Sequence, residues 1–432
     1  MASGTRWLLP ETDPELARSL ASELDIGLPA ARVLVRRGFG DAASARGFLN
    51  PSLKDLHDPF LLAGMHAAAA RLAGAIRLDE RILLYGDYDV DGAAATVILK
   101  KAIELAGGRA DVHIPHRMRE GYGMRVEVVE AAAASGVRLI VTLDTGIRSG
   151  GVVARARELG VDVIVTDHHL PEAELPPAWA VLDPRRPDCG YPDKNLCGAG
   201  VAFKFAQALF AELGWPASRR KKVLESFLKL VAIATVADVV PLSGENRILV
   251  KHGLEGLRTV YNPGLRAVLD FAGLPEGEAP SAGQVAFRIA PRMNAAGRMA
   301  DAAEVIELLL TRDRARAREI AARLHALNQE RQQAESAILR AILEECSRSP
   351  VGPRQRALVF SGPGWHRGVV GVVAGRLVER FHRPVVVLGE DAETGLAQGS
   401  GRSVPQFHLL EALESMAGLL TRFGGHRQAA GI

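Results

Sequence analysis

The chain has 432 residues, of which 48% are hydrophobic and 24% are charged, and its formal net charge is +3. These values are those of an ordinary globular protein, and the length allows two or three domains with cores of their own. A net charge this small does not indicate a polyanionic partner, so any nucleic-acid surface has to be local.

The cysteine content and the apolar runs indicate the cellular compartment of the protein. Its three cysteines, Cys189, Cys197 and Cys346, form no CxxC pair, and an odd number argues against a disulfide framework. The N-terminal stretch reaches acidic residues too early for a signal peptide, and no apolar run approaches the length needed to span a bilayer. We therefore predict a cytoplasmic protein with no membrane segment.

Five short apolar runs follow a predicted N-terminal helical segment, and Ala-rich helical stretches separate most of them. Runs that are apolar on both faces and alternate with helices predict a parallel, doubly wound α/β sheet. The runs are residues 81–87, 110–116, 138–144, 162–167 and 179–183.

Each of these runs ends on a charged or potentially ligating side chain. In an open α/β sheet the carboxyl ends of the strands form the ligand crevice, so these side chains are expected to converge on one site. They are Asp87, His116, Asp144, Asp167 with His168 and His169 after it, and Asp183.

Helical patterns dominate the middle of the chain, and a second α/β pattern follows them. Residues 222–238 are predicted as a buried helix that delivers Asp238, and residues 302–347 as a long polar helical stretch suited to connecting two domains. The predicted domains are an N-terminal helical segment (1–50), a large α/β domain (51–250), a helical region with the connector (251–349) and a smaller α/β domain (350–432).

Three aspartates at alternate positions, Asp87, Asp89 and Asp91, follow the first predicted strand directly. A lone DxD is usually a solvated turn, but carboxylates packed this closely repel one another unless a cation neutralises them. With Asp144, His168 and Asp238 they make a set of carboxylate and imidazole ligands without thiolate, which suits Mn²⁺ or Mg²⁺ better than structural zinc. So many acidic groups exceed what one ion needs, and they favour two divalent cations roughly 3.5–4 Å apart. Of the adjacent histidines, one can ligate metal while the other faces substrate.

The order and spacing of four motifs resemble those of the DHH phosphoesterase superfamily, and within it the RecJ family of bacterial single-strand-specific exonucleases. The motifs are GDYDVDG, LDTG, TDHH and ADVVPL. Further similar blocks extend the resemblance over nearly the whole chain: PHRMREGYGM, YPDKNLCGAGVAFKF, APRMNAAGRM, WHRGVVGVVAGRL, GSGRS and FGGHRQAAGI. The resemblance implies a DHH catalytic domain in residues 51–250, joined by the long helix to a DHH-associated substrate-binding domain in residues 350–432.

The resemblance also implies roles for individual residues. It implies that the metal ligands are Asp89, Asp91, Asp144, His168 and Asp238, and that Asp87 either supports these ligands or binds a metal ion itself. Asp144 is then the bridge between two ions, and His169 contacts the scissile phosphate. The residues expected to take part in catalysis are then His169, Asp144 and Asp89. One departure is Tyr85, which stands where many superfamily members carry a histidine; because tyrosine ligates these ions poorly, Asp87 is expected to take over part of that role.

The substrate is expected to be held mainly by the predicted smaller domain. Glycines around His426 allow a phosphate backbone to approach closely and to receive N–H groups, and Arg402 with Ser403 suits a terminal phosphate. Arg292, Asn294 and Arg298 could track the strand, although Arg298 is equally suited to a structural ion pair. Arg117 resembles a family residue that shares in binding the terminal phosphate. The predicted substrate residues are Arg117, Arg292, Asn294, Arg298, Arg402, Ser403, Gly424, Gly425 and His426.

These features predict hydrolysis of phosphodiesters by a two-metal mechanism. The resemblance implies a single-stranded-DNA exonuclease of 5′-to-3′ polarity in DNA repair and recombination, monomeric, with single-strand-binding protein and a helicase as partners. Two alternatives stay open: a phosphodiesterase acting on short oligonucleotides or cyclic dinucleotides, and an inactive strand-binding scaffold. A dinucleotide-binding Rossmann enzyme is disfavoured because no GxGxxG follows the first strand. We further expect a form truncated at its C-terminus that lacks the OB-fold of the family.

Overall fold

The structure, a computed structural model, describes residues 11–116, 121 and 123–432. These residues fall into two compact units, and each is described by itself. The first unit comprises the described residues up to His113 together with Gly123–Val260 and Glu276–Ala286. The second comprises Tyr261–Pro275 and Phe287–Ile432, together with the described part of residues 114–122.

The strands belong to two five-stranded sheets, one in each unit. The first contains β1 (Arg81–Gly86), β2 (Ala110–His113), β3 (Val137–Leu143), β4 (Asp162–Thr166) and β5 (Ala180–Leu182). The second contains β6 (Leu358–Pro363), β7 (Val385–Glu390), β8 (Ala397–Arg402), β9 (Gly424–Gly425) and β10 (Ala429–Gly431).

Helices surround both sheets. They are α1 (Pro14–Leu24), α2 (Leu28–Arg36), α3 (Ala42–Leu49), α4 (Met65–Arg77), α5 (Val90–Leu105), α6 (Val126–Ala134), α7 (Gly150–Glu158), α8 (Gly198–Glu212), α9 (Ala217–Ala237), α10 (Gly244–Gly256), α11 (Pro263–Phe271), α12 (Ala282–Gln284), α13 (Ala290–Met299), α14 (Ala303–Leu310), α15 (Arg314–Arg348), α16 (Arg367–Phe381) and α17 (Leu409–Glu414). Short 3₁₀ turns span Leu53–Asp55, Pro59–Leu61 and Ala417–Leu419, and a π-helical turn spans Val285–Ile289.

The sheet of the first unit is parallel throughout, with strand order β2-β1-β3-β4-β5. Along β1, Ile82 and Leu84 pack into a core shared with α4, α5, α8 and α9, whereas Leu83 and Tyr85 pack into a second core with residues of α6 and α7. Helices therefore cover both faces, which confirms the predicted doubly wound α/β fold. The strand order reverses between β1 and β3, and the crevice at such a switch point is where open α/β sheets bind ligands.

The second unit has a mixed sheet of order β6-β7-β8-β10-β9, in which only β6 and β7 run parallel. The polar stretch predicted as one helix is two helices, because α14 ends at Leu310 and Asp313 caps the start of α15. Its Oδ1 accepts hydrogen bonds from the backbone N–H groups of Ala315 and Arg316 at 2.8 and 3.3 Å. Helix α15 packs against α11, α13 and α16 inside this unit.

No single helix in the described part of the chain is both long and apolar enough to cross a bilayer. One pair bent by 83°, Leu53–Leu61 with Met65–Arg77, meets the length and composition criteria, and the longer of these helices packs in the core of the first unit.

Candidate metal centre

The carboxyl end of β1 carries the first acidic cluster. Asp87 continues the ladder to β3, because its backbone N–H donates to the carbonyl of Leu143 at 3.2 Å. Asp89 caps α5, and its Oδ1 accepts from the backbone N–H groups of Asp91 and Gly92 at 2.8 and 3.1 Å. A Cβ at Gly92 would lie 2.7 Å from the Asp87 backbone, so only glycine allows the strand to turn this tightly into the helix.

Asp91 points from the first turn of α5 to the N-terminus of α8. Its two carboxylate oxygens accept the backbone N–H groups of Gly198 and Ala199, each at 2.7 Å. Both N–H groups lack an intrahelical partner, and the positive end of the helix dipole favours a carboxylate there. These two hydrogen bonds fix the orientation of the Asp91 carboxylate, which is fully buried.

The loop after β3 holds Asp144 in an uncommon backbone conformation. Its φ is +64°, which aspartate tolerates better than most residues. Two buried threonines support the loop: Thr142 Oγ1 donates to the carbonyl of Thr145 at 2.7 Å, and Thr166 Oγ1 donates to the carbonyl of Thr142 at 2.6 Å. The Asp144 N–H donates to the carbonyl of Thr166 at 3.0 Å. The carboxylate therefore projects from the edge of the sheet.

His168 lies among three of these carboxylates. Its Nε2 is 3.0 Å from Asp144 Oδ1, 3.6 Å from Asp238 Oδ2 and 3.7 Å from Asp91 Oδ2. Burial, together with the charge of His169, lowers the pKa of His168 to about 3. The imidazole is therefore neutral at physiological pH, which is the form that ligates metal ions.

The ligand atoms of this cluster lie close enough together to share cations. Within the described residues, three groups have ligand atoms that all lie within 4.8 Å of one another: Asp87–Asp89–Asp144, Asp91–His168–Asp238 and Asp144–His168–His169. Asp144 and His168 each belong to two groups. Asp183, which follows β5, belongs to none of them, and β2 ends at His113, before His116.

Two observations indicate that these residues fit divalent cations. Although Asp144 Oδ1 and His168 Nε2 lie 3.0 Å apart, neither of these buried atoms, nor His168 Nδ1, makes a hydrogen bond of suitable geometry among the described residues. A bound cation is one way to satisfy such atoms. Burial, and then the neighbouring carboxylates, raise the pKa of Asp91 to about 7, that of Asp238 to about 8 and that of Asp144 well above its ordinary value. Positive charge is therefore what this cluster lacks.

The raised pKa values predict a pH dependence of stability. Without divalent cations, the folded chain keeps protons on Asp91 and Asp238 up to pH 7–8, whereas unfolded carboxyls ionise near pH 4. A folded pKa above the unfolded one stabilises fully at low pH, and this stabilisation is lost as the pH rises through the folded pKa. We expect the free energy of unfolding to fall between pH 7 and 9, by about 1.4 kcal/mol per pH unit for each proton the folded chain retains.

Urea unfolding at pH 7, 8 and 9 in the presence of a chelator measures this slope. His168 does not titrate in this window, and His169, whose pKa is also raised, changes stability in the same direction. The variant Asp238→Asn removes one titrating group and is expected to flatten the slope. Stability that increased from pH 7 to 9 would contradict the prediction. Mn²⁺ affinity is expected to rise over the same range, because metal and protons compete for the same oxygens.

His169 belongs to one of the three potential ligand groups, with Asp144 and His168, and its ring is bound by Asp167. Asp167 Oδ1 lies 2.7 Å from His169 Nδ1 and also accepts the backbone N–H groups of His168 and His169. Burial alone would lower the pKa of His169, but the hydrogen bond and charge of Asp167 outweigh it and raise the pKa to about 9. His169 is therefore cationic at neutral pH and is suited to meeting an anionic group.

Tyr85 lies where many superfamily members carry a histidine, and its side chain does not point toward the potential metal ligands. Its side chain is fully buried with Leu83 and Ile140 in the core on the α6–α7 side of the sheet, and its hydroxyl donates to the carbonyl of Gly123 at 3.2 Å. Because side chains alternate along a strand, Tyr85 packs on the face opposite Ile82 and Leu84. With tyrosine at this position, the potential ligands at the end of β1 are carboxylates.

The residue after Asp238 is strained. Val239 has a φ of +60°, which is an outlier for a β-branched residue, and its side chain is 85% exposed. Replacing it by asparagine, which adopts left-handed backbone readily, is expected to raise the free energy of unfolding by about 1 kcal/mol. Thermal and urea unfolding measure the change. The matched control is Val359→Asn, because Val359 is also exposed (66%) but lies in strand β6. This control variant is expected to lose stability slightly. A loss of stability in Val239→Asn would contradict the expected strain.

The predicted substrate residues that the structure describes all lie in the second unit. Arg298 on α13 donates to the carbonyl of Gly368 at 3.4 Å, in the first turn of α16. Arg402 on β8 donates to Ser400 Oγ at 2.6 Å, and a Cβ at Gly371, one turn further along α16, would lie 3.0 Å from its guanidinium. Arg298 and Arg402 thus both lie beside the first two turns of α16.

The other predicted substrate residues are more dispersed. Ser403 Oγ donates to the carbonyl of Phe407 at 3.0 Å, and Arg292 bonds His325 Nδ1 at 3.2 Å on α15. Gly425 pairs with Ala430 on β10, the strand that also pairs with β8; a Cβ at Gly425 would lie 2.3 Å from the carbonyl oxygen of Ala429. The remaining residues are Asn294 on α13, Gly424 on β9 and the exposed His426 after it, while Arg117 lies outside the described residues.

Two features of the centre were not singled out from the sequence. Gly198 at the start of α8 lies so close to Asp144 that a Cβ would come within 2.6 Å of the Asp144 Cβ. The sequence pattern predicts Asp167 only as the end of a strand. The run of small residues in CGAGVAF was a usable signal for the first, because glycines at a helix start permit close approach of a polar group.

Comparison with known proteins places this geometry in a family. The model of the DHH family N-terminal domain matches residues 81–235, and that of the DHHA1 domain matches residues 354–432. The single-stranded-DNA-specific exonuclease RecJ of Dickeya dadantii is 41% identical over 431 residues, which are 95% of this chain and 73% of that protein. This chain belongs to the RecJ family.

Two further RecJ proteins are also similar to this chain, but the chain covers only part of the length of each. RecJ of Bacillus subtilis is 42% identical over 432 residues, which cover all of this chain and 53% of the relative. The crystal structure of RecJ from Thermus thermophilus in complex with Mn²⁺ superposes with a TM-score of 0.84 at 36% identity, over all of this chain and 60% of that one. The chain therefore spans little more than half the length of these two relatives.

Proposed function

We propose that this chain is a metal-dependent single-stranded-DNA exonuclease that hydrolyses phosphodiester bonds in the 5′-to-3′ direction. The observation that carries the proposal is the buried cluster at the carboxyl ends of β1, β3 and β4, where Asp144 and His168 each belong to two potential ligand groups. Family membership supports it, because the relatives are named single-stranded-DNA-specific exonucleases. Polarity, and a role in DNA repair and recombination, rest on family resemblance.

The proposed cofactors are two divalent cations, Mn²⁺ or Mg²⁺. Oxygen and imidazole ligands without thiolate suit these ions, and a solved relative holds Mn²⁺. Asp87, Asp89 and Asp144 would hold one ion, Asp91, His168 and Asp238 the other, and Asp144 would bridge them. When bound, such ions lower the pKa of water and stabilise the charge that develops on a phosphoryl group.

The residues of the chain prepare this chemistry in three ways. The N–H groups at the start of α8 fix Asp91, and the threonine pair fixes the loop of Asp144, so the ligands need little rearrangement. His168 is neutral and keeps its ring nitrogens available. His169 is cationic and, in this proposal, donates from Nε2 to a non-bridging oxygen of the scissile phosphate.

The second unit is proposed to bind the strand. Arg402 and Ser403 would take the terminal phosphate with Arg117, while Arg292, Asn294 and Arg298 would follow the backbone, and Gly424, Gly425 and His426 would receive a phosphate. In domain terms, residues 51–250 are proposed as catalytic, 251–349 as the helical connecting region and 350–432 as substrate-binding, after an N-terminal segment 1–50. We propose a cytoplasmic monomer, with single-strand-binding protein and a helicase as partners.

Digestion of single strands labelled at the 5′ or the 3′ end, with Mn²⁺ or Mg²⁺, tests the proposal. We expect mononucleotides to be released from the 5′ end of a single strand and duplex to be resistant. Faster hydrolysis of a dinucleotide or cyclic dinucleotide than of a long strand would instead identify a small-substrate phosphodiesterase. Strand binding without hydrolysis, and without Mn²⁺ uptake at millimolar supply, would identify an inactive scaffold.

A further inference from the structure

The side chain of Asp167 accepts hydrogen bonds at both of its carboxylate oxygens. Its Oδ1 accepts the N–H groups of His168 and His169 at 2.8 and 3.2 Å and lies 2.7 Å from His169 Nδ1. Its Oδ2 accepts the N–H of Ile147 at 3.0 Å, from the loop that carries Asp144. The side chain is buried and takes no part in the three potential ligand groups.

Only a carboxylate can satisfy this arrangement. An ionised carboxylate is an acceptor at both oxygens, whereas the amide of asparagine offers one acceptor and one donor. With the asparagine oxygen toward His169, its NH₂ group would face the N–H of Ile147; in the flipped orientation it would face the histidine N–H groups. The four donors around Asp167 therefore select a charged, acceptor-only side chain.

We propose that Asp167 is a positioning residue that acts through His169, an inference that rests on the proposed nuclease function. Since the carboxylate accepts at Nδ1, the proton of that nitrogen is fixed, and Nε2 is the ring nitrogen that Asp167 does not bind. The same side chain accepts the N–H of Ile147 from the loop of Asp144. In an asparagine variant the amide oxygen can keep this bond, so the loop is expected to stay in place while the contact to His169 is lost. Partners of this kind typically change activity by about 10- to 100-fold when removed.

A double-mutant cycle tests the link in the full chain. Asp167→Asn is expected to lower kcat on single-stranded DNA by about 10- to 100-fold, while KM and Mn²⁺ affinity stay within about three-fold of the wild type. In the His169→Ala background the same substitution is expected to have no further effect on kcat, because the two residues act as one unit. Multiplying effects, or a loss of Mn²⁺ affinity that accounts for the lower kcat, would overturn the proposal.

Nitrogen-15 NMR of histidine-labelled wild-type chain, without paramagnetic metal, gives a readout that needs neither activity nor a stable Asp167 variant. We expect one strongly hydrogen-bonded Nδ1 proton that disappears in His169→Gln, which assigns it. Its absence from the wild type would overturn the proposal. If this proton is present but the chain hydrolyses no DNA, the proposed nuclease function is wrong and the Asp167–His169 hydrogen bond is confirmed. If the chain hydrolyses DNA but the proton is absent, the nuclease function is confirmed and the proposed role of Asp167 is wrong.

Discussion

Replacing Asp144 by asparagine is expected to lower nuclease activity by at least about 10³-fold and, at the same time, to make the cation-free protein more stable. The activity falls because Asp144 belongs to two potential ligand groups, and losing several kcal/mol of transition-state stabilisation corresponds to a loss of that size. Asparagine also tolerates the positive φ at this position, so the backbone of the loop is expected to persist.

The gain in stability has a separate cause. Asp144 is buried among carboxylates, and burial followed by repulsion from Asp91 raises its pKa well above the ordinary range. An uncharged amide removes that repulsion, and we expect the free energy of unfolding at pH 8 in chelator to rise by about 1–3 kcal/mol. Mn²⁺ stabilises the wild type by mass action, and this increase in melting temperature is expected to disappear in the variant.

Thermal unfolding with and without Mn²⁺, combined with the nuclease assay, distinguishes this account from simple misfolding. A misfolded variant would lose activity and stability together. The control Asp162→Asn changes an aspartate at the opposite end of β4, where it pairs with Arg71, and is expected to retain activity. An Asp144→Asn protein that kept its activity would remove the basis of the metal-centre proposal.

Replacing Gly198 by alanine is expected to damage the centre without changing any ligand. The added Cβ would lie 2.6 Å from the Asp144 Cβ and 2.7 Å from its Oδ1, distances that real Cβ atoms essentially never show. The N–H of the same residue bonds Asp91 at 2.7 Å, so a shift of α8 would move both carboxylates. We expect a loss of about 1–3 kcal/mol in unfolding free energy and an activity lowered by about 10- to 100-fold.

The matched control is Gly74→Ala in the last turn of α4, where an added Cβ has open space within 4 Å. Alanine is the better helix former, so this variant is expected to gain up to about 1 kcal/mol and to retain full activity. Urea unfolding and Mn²⁺ titration of both variants measure the contrast. Normal Mn²⁺ affinity in Gly198→Ala would show that the close contact with Asp144 is not needed for the centre.

The strands of the first sheet were predictable because their signal is local. An apolar run such as 138–144 must be buried on both faces, and the observed strand, Val137–Leu143, differs from it by one residue at each end. The run 110–116 was predicted too long, since β2 ends at His113. Regular alternation with helices implied parallel strands, and parallel strands bring their carboxyl ends to one edge.

The contacts that organise the centre had no such signal. Gly198 follows Asp91 by 107 residues and lies beside it only because α5 and α8 pack on the same face of the sheet. The positive φ values of Asp144 and Val239 depend on how the ends of β3 and α9 are held, and nothing in either residue type indicates them. The bond from Tyr85 to Gly123 likewise depends on which face of β1 the phenol occupies.

Local sequence patterns are enough to predict the doubly wound α/β class, the edge of the sheet that carries the acidic and imidazole side chains, and the kind of cation they suit. These depend on apolar periodicity and on ligand chemistry, which are properties of short segments. Which side chains meet is known only from the folded chain: Asp91 with the start of α8, His168 among three carboxylates, and Asp167 with both His169 and the loop of Asp144. The physical reason is that such distances follow from strand order and helix packing, which join residues far apart in the chain.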